Sequence, residues 1–226
     1  GLLGAQAGGA LHADRMLALA AARLGLRAHI YDPAAADGSA AQVADRATTA
    51  PWDDAEALDA FAASVDVITY EFENIPTGTL DRLGAARPIR PGRRALEVSQ
   101  DRLKEKRFLR DLGLATAPFA PIDGPGDLAA ALTETGTPAI LKTRRFGYDG
   151  KGQARIADEN SAEAALASLA GAPAIAAGHV AIERELSVIG ARCGLAQDMQ
   201  GRLAVDFGVE GGKWCVAHAI SVGFGG

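Results

Sequence analysis

The stretch Leu141-Lys-Thr-Arg-Arg-Phe-Gly-Tyr-Asp-Gly-Lys-Gly-Gln153 decides the fold of the second half of the chain. It continues an apolar run over 139–142 and leads into a second run over 153–156, so the pattern predicts a strand, a glycine-containing loop and a returning strand. A P-loop would instead run from its strand into a helix. Three glycines permit close backbone approach to an anion, and two arginines and a lysine add positive charge. The loop could close over nucleotide phosphates, or it could be a solvated hairpin whose glycines serve only turn geometry.

Lys142 favours the nucleotide interpretation of this loop. It lies at the end of an otherwise apolar strand, two residues after Ile140, so both side chains point to the same face. A purely structural core face would not hold an ammonium group there. We therefore expect Lys142 to face an anionic ligand.

The rest of the second half alternates between helix and loop or strand patterns. We predict a charged amphipathic helix over 95–112 that ends at Gly113, a loop over 118–125 and further helices over 126–134 and 161–169. Short strands are expected over 174–175 and 186–191, and a strand with a weaker pattern over 216–222.

The first half reads as strands that alternate with helices. Strands are predicted over 1–4, 28–31 and 65–70, and helices over 13–24, closed by Gly25, and over 54–63. Alternation of this kind is typical of a parallel α/β layer. The segment 87–92, with two prolines and a glycine, is predicted to link this layer to the second half.

Composition excludes several classes of protein. The 226 residues include 28 acidic and 23 basic side chains, for a net charge of -5, and no run of Lys or Arg that would bind nucleic acid. The two cysteines, Cys193 and Cys215, form neither a CxxC motif nor a Cys/His cluster. We therefore expect no zinc site, and we expect the protein to be located in the reducing cytoplasm. The longest apolar run, 16–22, is too short to span a membrane.

The loop at 141–153 resembles the ATP-grasp loop of the N5-carboxyaminoimidazole ribonucleotide synthetases, ATP-dependent carboxylases of purine biosynthesis. Four more segments agree with that family in order and spacing: Thr69-Tyr-Glu-Phe-Glu-Asn-Ile-Pro76, Gln100-Asp-Arg-Leu-Lys-Glu-Lys106, Thr116-Ala-Pro-Phe119 and Glu183-Arg-Glu-Leu-Ser-Val188. Together they span roughly residues 15–191. The resemblance implies an α/β protein with a Rossmann-like pre-ATP-grasp domain over 1–92, followed by a partial ATP-grasp domain over 93–226.

The resemblance also implies a set of site residues. Arg102 and Lys142 would contact ATP phosphates, beneath a lid formed by Gly147, Tyr148, Asp149, Gly150, Lys151, Gly152 and Gln153. Glu73 would face aminoimidazole ribonucleotide together with Tyr148 and Asp149, and these three are the implied catalytic residues. The ATP ribose would bind Glu185, and adenine would bind the hinge formed by Ala177, Gly178, His179 and Val180.

In the family that the chain resembles, bicarbonate attacks the γ-phosphate of Mg-ATP to give carboxyphosphate, and the carboxyl group passes to the amine of aminoimidazole ribonucleotide. The implied cofactors are therefore ATP and Mg²⁺, and the implied assembly is a homodimer. No residue of this chain is assigned to the metal, because the family's acidic magnesium ligands lie in a C-terminal region that nothing after Gly194 resembles.

The chain departs from the family pattern at two further places. Residues 10–14 are inserted before the Arg15-Met16 helix, and Ala177 replaces an expected glutamate at the hinge. Each candidate also has a structural alternative: Glu71 and Glu73 could form a solvated strand end, Arg102 could belong to a charged helix face, and Glu183 and Glu185 could form surface pairs.

Three other functions stay open at this stage. A different ATP-grasp ligase would share the lid but not the acidic turn, and a catalytically inactive chain would bind nucleotide without turnover. A nicotinamide-dependent oxidoreductase is disfavoured because Gly4-Ala-Gln-Ala-Gly-Gly9 does not match GxGxxG, and Asp32 is interpreted as a strand-end residue.

Overall fold

The computed structural model describes residues 1–3, 11–147, 151–181, 190–193 and 221–224. The described residues divide into two compact units. The first contains the chain up to Glu97 together with two short strands near its end, and the second contains the described residues from Val98 to 181.

The first unit is built on a parallel sheet. Its strands are β1 (Leu2–Leu3), β2 (His29–Tyr31), β3 (Arg46–Thr48) and β4 (Thr69–Tyr70), in the order β3-β2-β1-β4. All pairs are parallel, which confirms the predicted parallel α/β layer. The sequence did not predict β3.

Helices connect and flank these strands. They are α1 (Leu11–Arg23), α2 (Ala55–Ala63), α3 (Thr77–Ala86), which was not predicted, and α4 (Arg93–Ser99). The Asp54 carboxylate caps α2 by accepting a hydrogen bond from the Ala57 amide at 3.0 Å. Gly25 follows α1 with φ +74°, and the Leu26 amide donates back to the Ala21 carbonyl at 3.0 Å, which is the C-terminal cap the sequence predicted.

Consecutive residues of β1 and β2 pack on opposite faces of this sheet. Leu3 and Tyr31 pack with residues of α2 and α3, including Phe61. Leu2 and Ile30 belong to a separate cluster that includes Ala18 of α1. The parallel sheet is therefore covered by helices on both faces, as in doubly wound folds.

The second unit is built on an antiparallel sheet. Its strands are β5 (Phe119–Ile122), β6 (Ala139–Thr143), β7 (Gln153–Ile156) and β8 (Ala174–Gly178), in the order β5-β8-β6-β7. Its helices are α5 (Arg102–Asp111), α6 (Leu128–Thr135) and α7 (Ala162–Ala167). The predicted strand, loop and returning strand around residues 143–152 are β6, its connection and β7, paired in antiparallel register.

Two predictions for this unit are wrong. The segment 95–112, expected to be a single helix, forms two helices. Asp101 lies between them and caps the N-terminus of α5, because its carboxylate accepts hydrogen bonds from the amides of Leu103 at 2.9 Å and Lys104 at 3.3 Å. The loop expected over 118–125 contains β5, which pairs with β8 along its whole length. That pairing also extends β8 beyond the predicted 174–175.

One face of the antiparallel sheet is fully packed. Ala139 and Leu141 of β6 and Ala174 and Ala176 of β8 form a buried cluster with residues of α6 and α7. Because side chains alternate along a strand, the intervening residues of β6 and β8 lie on the other face. That face carries three candidate site residues, Lys142, Gln153 and Ala177.

Two further strands, β9 (Gly190–Cys193) and β10 (Ser221–Phe224), pair in parallel. The strands predicted over 186–191 and 216–222 lie partly outside the described residues, which include only 190–191 and 221–222 of them. Within the described parts of the chain, no helix has the length and apolar character to cross a membrane.

Candidate functional site

The second face of the antiparallel sheet brings three predicted site residues together. Lys142 of β6 lies opposite Gln153 of β7 on one side and Ile175 of β8 on the other. Ala177 lies opposite Ile140, the residue that shares the face of Lys142. Lys142, Gln153 and Ala177 therefore lie on one surface, although they come from three strands.

This surface has an apolar part beside its cationic part. Leu103 of α5, Phe119 of β5 and Ile175 of β8 form a small buried cluster. Two cations of α5 lie over the ring of Phe119, with Lys106 Nζ 6.0 Å and the Arg110 guanidinium carbon 5.1 Å from its centre. This buried cluster packs α5 onto the cationic face of the sheet.

Lys142 is the half-buried cation of this face. Burial lowers the pKa of its ammonium, and the nearby charges of Arg102 and Lys106 lower this pKa further, against the opposite effect of Glu105. No hydrogen bond or ion pair joins this ammonium to another residue in the described ranges. Lys142 is thus a partly desolvated cation near two other cations and one carboxylate.

Arg102 closes the base of the loop that follows β6. Its Nε donates to the Thr143 carbonyl at 3.1 Å, and its second terminal nitrogen donates to the Gly147 carbonyl at 2.7 Å. The guanidinium therefore binds the backbone of the loop, and it lies close enough to Lys142 for its charge to lower the pKa of that ammonium.

The two described glycines of the loop lie at close contacts. At Gly147, a Cβ atom would lie 3.0 Å from the Arg102 guanidinium nitrogen. Gly152 has φ +67°, and a Cβ atom there would lie 2.5 Å from Thr143 Oγ1. The Thr143 amide also donates to the Gly152 carbonyl at 2.7 Å, so these residues form a tight neck where the loop leaves and rejoins the sheet.

The arginines that add charge to the loop sequence have other partners. Arg144 pairs with the Asp101 carboxylate at 2.6 Å and with the Asp123 carboxylate at 3.0 Å. Arg145 donates to Gln100 Oε1 at 3.1 Å and lies 5.3 Å from the ring centre of Phe146. Two carboxylates therefore already engage the charge of Arg144, one of the two arginines that add positive charge to the loop sequence.

The predicted hinge begins at the end of β8. Gly178 is fixed by packing: its amide donates to the Pro118 carbonyl at 2.8 Å, and a Cβ atom would lie 2.7 Å from the Thr135 carbonyl oxygen. Ala177 is buried, and the exposed His179 and Val180 follow the strand.

The acidic turn lies in the first unit. β4 ends at Tyr70, so Glu71 and Glu73 follow the strand end rather than lying within the strand. Desolvation raises the pKa of the Glu71 carboxyl, and the charge of Glu73 raises it further. Glu73 is exposed.

Four predicted residues, Tyr148, Asp149, Gly150 and Glu185, lie outside the described residues, whereas Lys151 is described and exposed. Sequence reasoning missed the contributions of Asp101, Thr143 and Phe119. Asp101 had a recognisable signal, an aspartate directly before a helical run, but nothing in the sequence shows the contacts of the other two. Among the residues the structure describes, no group of three or more His, Cys, Asp or Glu side chains could hold a metal ion.

Comparison with known proteins agrees with the two-part α/β fold. Residues 1–100 match the ribonucleotide synthetase preATP-grasp domain, and residues 107–201 match the ATP-grasp domain. A Brucella melitensis protein named N5-carboxyaminoimidazole ribonucleotide synthase is 49% identical over 193 residues, which are 84% of this chain and 52% of that protein. The chain thus spans about half the length of the curated relatives it matches.

Solved structures give the same result. The N5-carboxyaminoimidazole ribonucleotide synthetase of Thermus thermophilus superposes with a TM-score of 0.70 at 43% identity, over 81% of this chain and 47% of that one. The N5-carboxyaminoimidazole synthase of Aspergillus clavatus, solved in complex with ADP and 5-aminoimidazole ribonucleotide, superposes with a TM-score of 0.67 at 26% identity, over 80% and 47%. On sequence and on fold, this chain belongs to the N5-carboxyaminoimidazole ribonucleotide synthetase family of ATP-grasp proteins.

Proposed function

We propose that this chain binds ATP and takes part in the ATP- and bicarbonate-dependent carboxylation of 5-aminoimidazole ribonucleotide to N5-carboxyaminoimidazole ribonucleotide. The observation that carries the proposal is the shared face of β6, β7 and β8, where the desolvated Lys142 ammonium lies between an apolar cluster and a glycine loop. The assignment to a ligase that forms a C–N bond rests on the family to which the chain belongs.

In the proposed reaction a bicarbonate oxygen attacks the γ-phosphorus of ATP, the bond to the β-phosphate oxygen breaks, and ADP leaves. The ribonucleotide amine then attacks the carboxyl carbon of carboxyphosphate, and inorganic phosphate leaves while the amine loses a proton. Such an intermediate is hydrolysed readily in water, so a lid that excludes solvent during both steps has a chemical purpose.

The proposal gives the described residues distinct roles. Lys142 and Arg102 orient the phosphates, while Gly147, Lys151, Gly152 and Gln153 form the described part of the lid. Ala177, Gly178, His179 and Val180 line the adenine hinge, where backbone groups can read the base. Glu73 faces the ribonucleotide.

Four residues outside the described ranges complete the proposed site, and one of them, Gly150, belongs to the lid. Tyr148 and Asp149 face the ribonucleotide together with Glu73, and Glu185 accepts hydrogen bonds from the ATP ribose. We assign residues 1–92 to the pre-ATP-grasp domain and 93–226 to the ATP-grasp domain. A homodimer and a cytoplasmic location belong to the same proposal.

Mg²⁺ is proposed to bind only together with ATP. Mg²⁺ is held by carboxylates and by phosphate oxygens. The described residues contain no acidic cluster that would supply the protein ligands. The second candidate is a chain that binds nucleotide without turnover.

The test is ADP release from Mg-ATP in bicarbonate buffer, with and without 5-aminoimidazole ribonucleotide, on the 226-residue chain. Release that depends on the ribonucleotide supports the carboxylase and excludes both another ATP-grasp ligase and the inactive chain. Calorimetric binding of ADP without release supports the second candidate. Absence of both binding and release would refute nucleotide binding altogether.

A further inference from the structure

The first turn of α5 is tied to the end of β6 by contacts of both backbone and side chains. The Asp101 carboxylate accepts from the Arg144 guanidinium, with Nε at 3.1 Å and a terminal nitrogen at 2.6 Å from the same oxygen. The Arg102 amide donates to the Arg144 carbonyl at 2.9 Å. The Arg102 side chain then reaches Thr143 and Gly147. One short segment therefore holds both the last residues of the strand and the start of the loop.

The Asp101–Arg144 pair differs from the surface ion pairs of this chain in its burial. The side chains of Asp101 and Arg144 are 11% and 23% exposed, whereas the equally short Asp59–Arg82 pair is 62% and 44% exposed. A shielded pair has a stronger electrostatic interaction, and breaking it leaves a charge without its partner. Exposed pairs contribute little to stability.

The same carboxylate of Asp101 also caps the N-terminus of α5, where it accepts hydrogen bonds from the amides of Leu103 and Lys104. The pair therefore fixes the N-terminal end of α5 relative to β6. Arg102 is the first residue of that helix, and Lys142 lies two residues before Arg144. A shift of the helix against the strand would move both cations that we assign to the nucleotide phosphates.

We propose that Asp101 and Arg144 are positioning residues for the nucleotide site, which hold Arg102, Lys142 and the described residues 143–147 in one fixed arrangement. Neither side chain contacts the ligand in this proposal: Asp101 acts through Arg144 and α5, and Arg144 acts through its pairing and its backbone. The inference rests on the proposed function for the identity of the ligand, but the arrangement itself can be tested without one.

The first test is amide hydrogen exchange of the 226-residue chain, comparing the wild type with Asp101→Asn. Asparagine keeps the helix cap but removes the charge that pairs with Arg144. We expect residues 143–147 and 151–153 to exchange about tenfold faster or more, while peptides from β5 and α6 stay unchanged. Unchanged exchange at the loop would overturn the proposal, and so would acceleration spread evenly over the second unit, which would show a merely structural pair.

Two variants serve as controls for charge and geometry. Asp59→Asn removes the carboxylate of an equally short pair in the first unit, and the loop after β6 should exchange as in the wild type. Arg144→Lys keeps the positive charge but loses the planar fork that reaches both carboxylates. We expect its loop to exchange at a rate between those of the wild type and Asp101→Asn, and a rate equal to the wild type would contradict the positioning role.

Calorimetric titration with ADP then connects the arrangement to the ligand. We expect Asp101→Asn to bind ADP about tenfold more weakly than the wild type, with Asp59→Asn unchanged. Wild-type affinity in Asp101→Asn would overturn the positioning role for the nucleotide. If the wild type itself does not bind ADP, the proposed function fails, whereas the exchange experiment still decides whether the pair fixes the loop.

Discussion

Replacing Lys142 with methionine should change stability and nucleotide affinity in opposite directions. The ammonium is half buried, and its pKa is lowered by desolvation and by the charges of Arg102 and Lys106. Methionine keeps the apolar contacts of the side chain and removes the charge. We therefore expect the free energy of unfolding to rise by about 1 kcal/mol, the scale of one interaction between partly exposed charges. The loss of a charged hydrogen bond to phosphate costs about 1.5–3 kcal/mol, so ADP should bind about 10- to 150-fold more weakly.

The pH dependence of unfolding gives an independent check of this reasoning. Because the folded pKa of Lys142 lies below its usual value of 10.5, the unfolded chain binds more protons between the two pKa values. The cost of holding the charge is present at neutral pH and is relieved as pH rises through that window. Lys142→Met should remove this rise in stability.

The assay is urea unfolding followed by circular dichroism at neutral pH and at about pH 10, with calorimetric ADP titration of the same samples. Lys104→Met, at an exposed position on α5, is the matched control and should leave ADP affinity unchanged. A less stable Lys142→Met chain would refute the electrostatic reasoning. Unchanged ADP affinity would remove Lys142 from the site.

Two further predictions concern the loop neck and the first sheet. Gly152→Ala should lower the free energy of unfolding by about 2–4 kcal/mol, because the residue has φ +67° and the new methyl group would lie 2.5 Å from Thr143 Oγ1. Adding Thr143→Ala should leave only the backbone strain of about 1–2 kcal/mol, and in urea unfolding simple additivity of the two single changes would contradict the contact. His29 has its pKa lowered by burial and then by the charge of Arg46, so the unfolded state binds the proton more readily. The free energy of unfolding should fall as pH drops below 6.5, the pKa of the unfolded state. His29→Gln should reduce this dependence on pH, and an unchanged dependence would refute the role of His29.

Local pattern predicted those elements whose burial is also local. The alternation of Ala139 to Thr143 indicated a strand with one core face, and the structure confirms that face. β3 has no such signal, because Arg46–Thr48 is short and mostly exposed, and it exists through its pairing with β2. β5 was missed for a related reason: the two prolines at 118 and 121 indicate a loop, yet pairing with β8 imposes a strand.

The candidate site likewise contains contacts that follow from local sequence and contacts that depend on distant pairing. The register of a hairpin predicts that Lys142 meets Gln153 once both strands are known, because the loop between them fixes the pairing. The pairing of Arg144 joins residues 43 positions apart, and the sequence offers no reason to choose Asp101 over the other carboxylates. Loop composition therefore predicted positive charge at 144–145 without predicting that carboxylates and an amide already engage it.

The charges around Lys142 favour a ligand-binding loop over a solvated hairpin. In a solvated hairpin the lysine would extend into water or pair with a carboxylate, since either choice avoids desolvation. Here the ammonium is half buried beside Arg102 and Lys106, with Glu105 as the opposing charge, and it has no hydrogen bond to a described residue. Because the pKa of Lys142 is lowered, these neighbouring cations raise the free energy of the folded protein. A bound polyanion would offset that cost, because each cation that disfavours the charge of Lys142 would then favour the ligand.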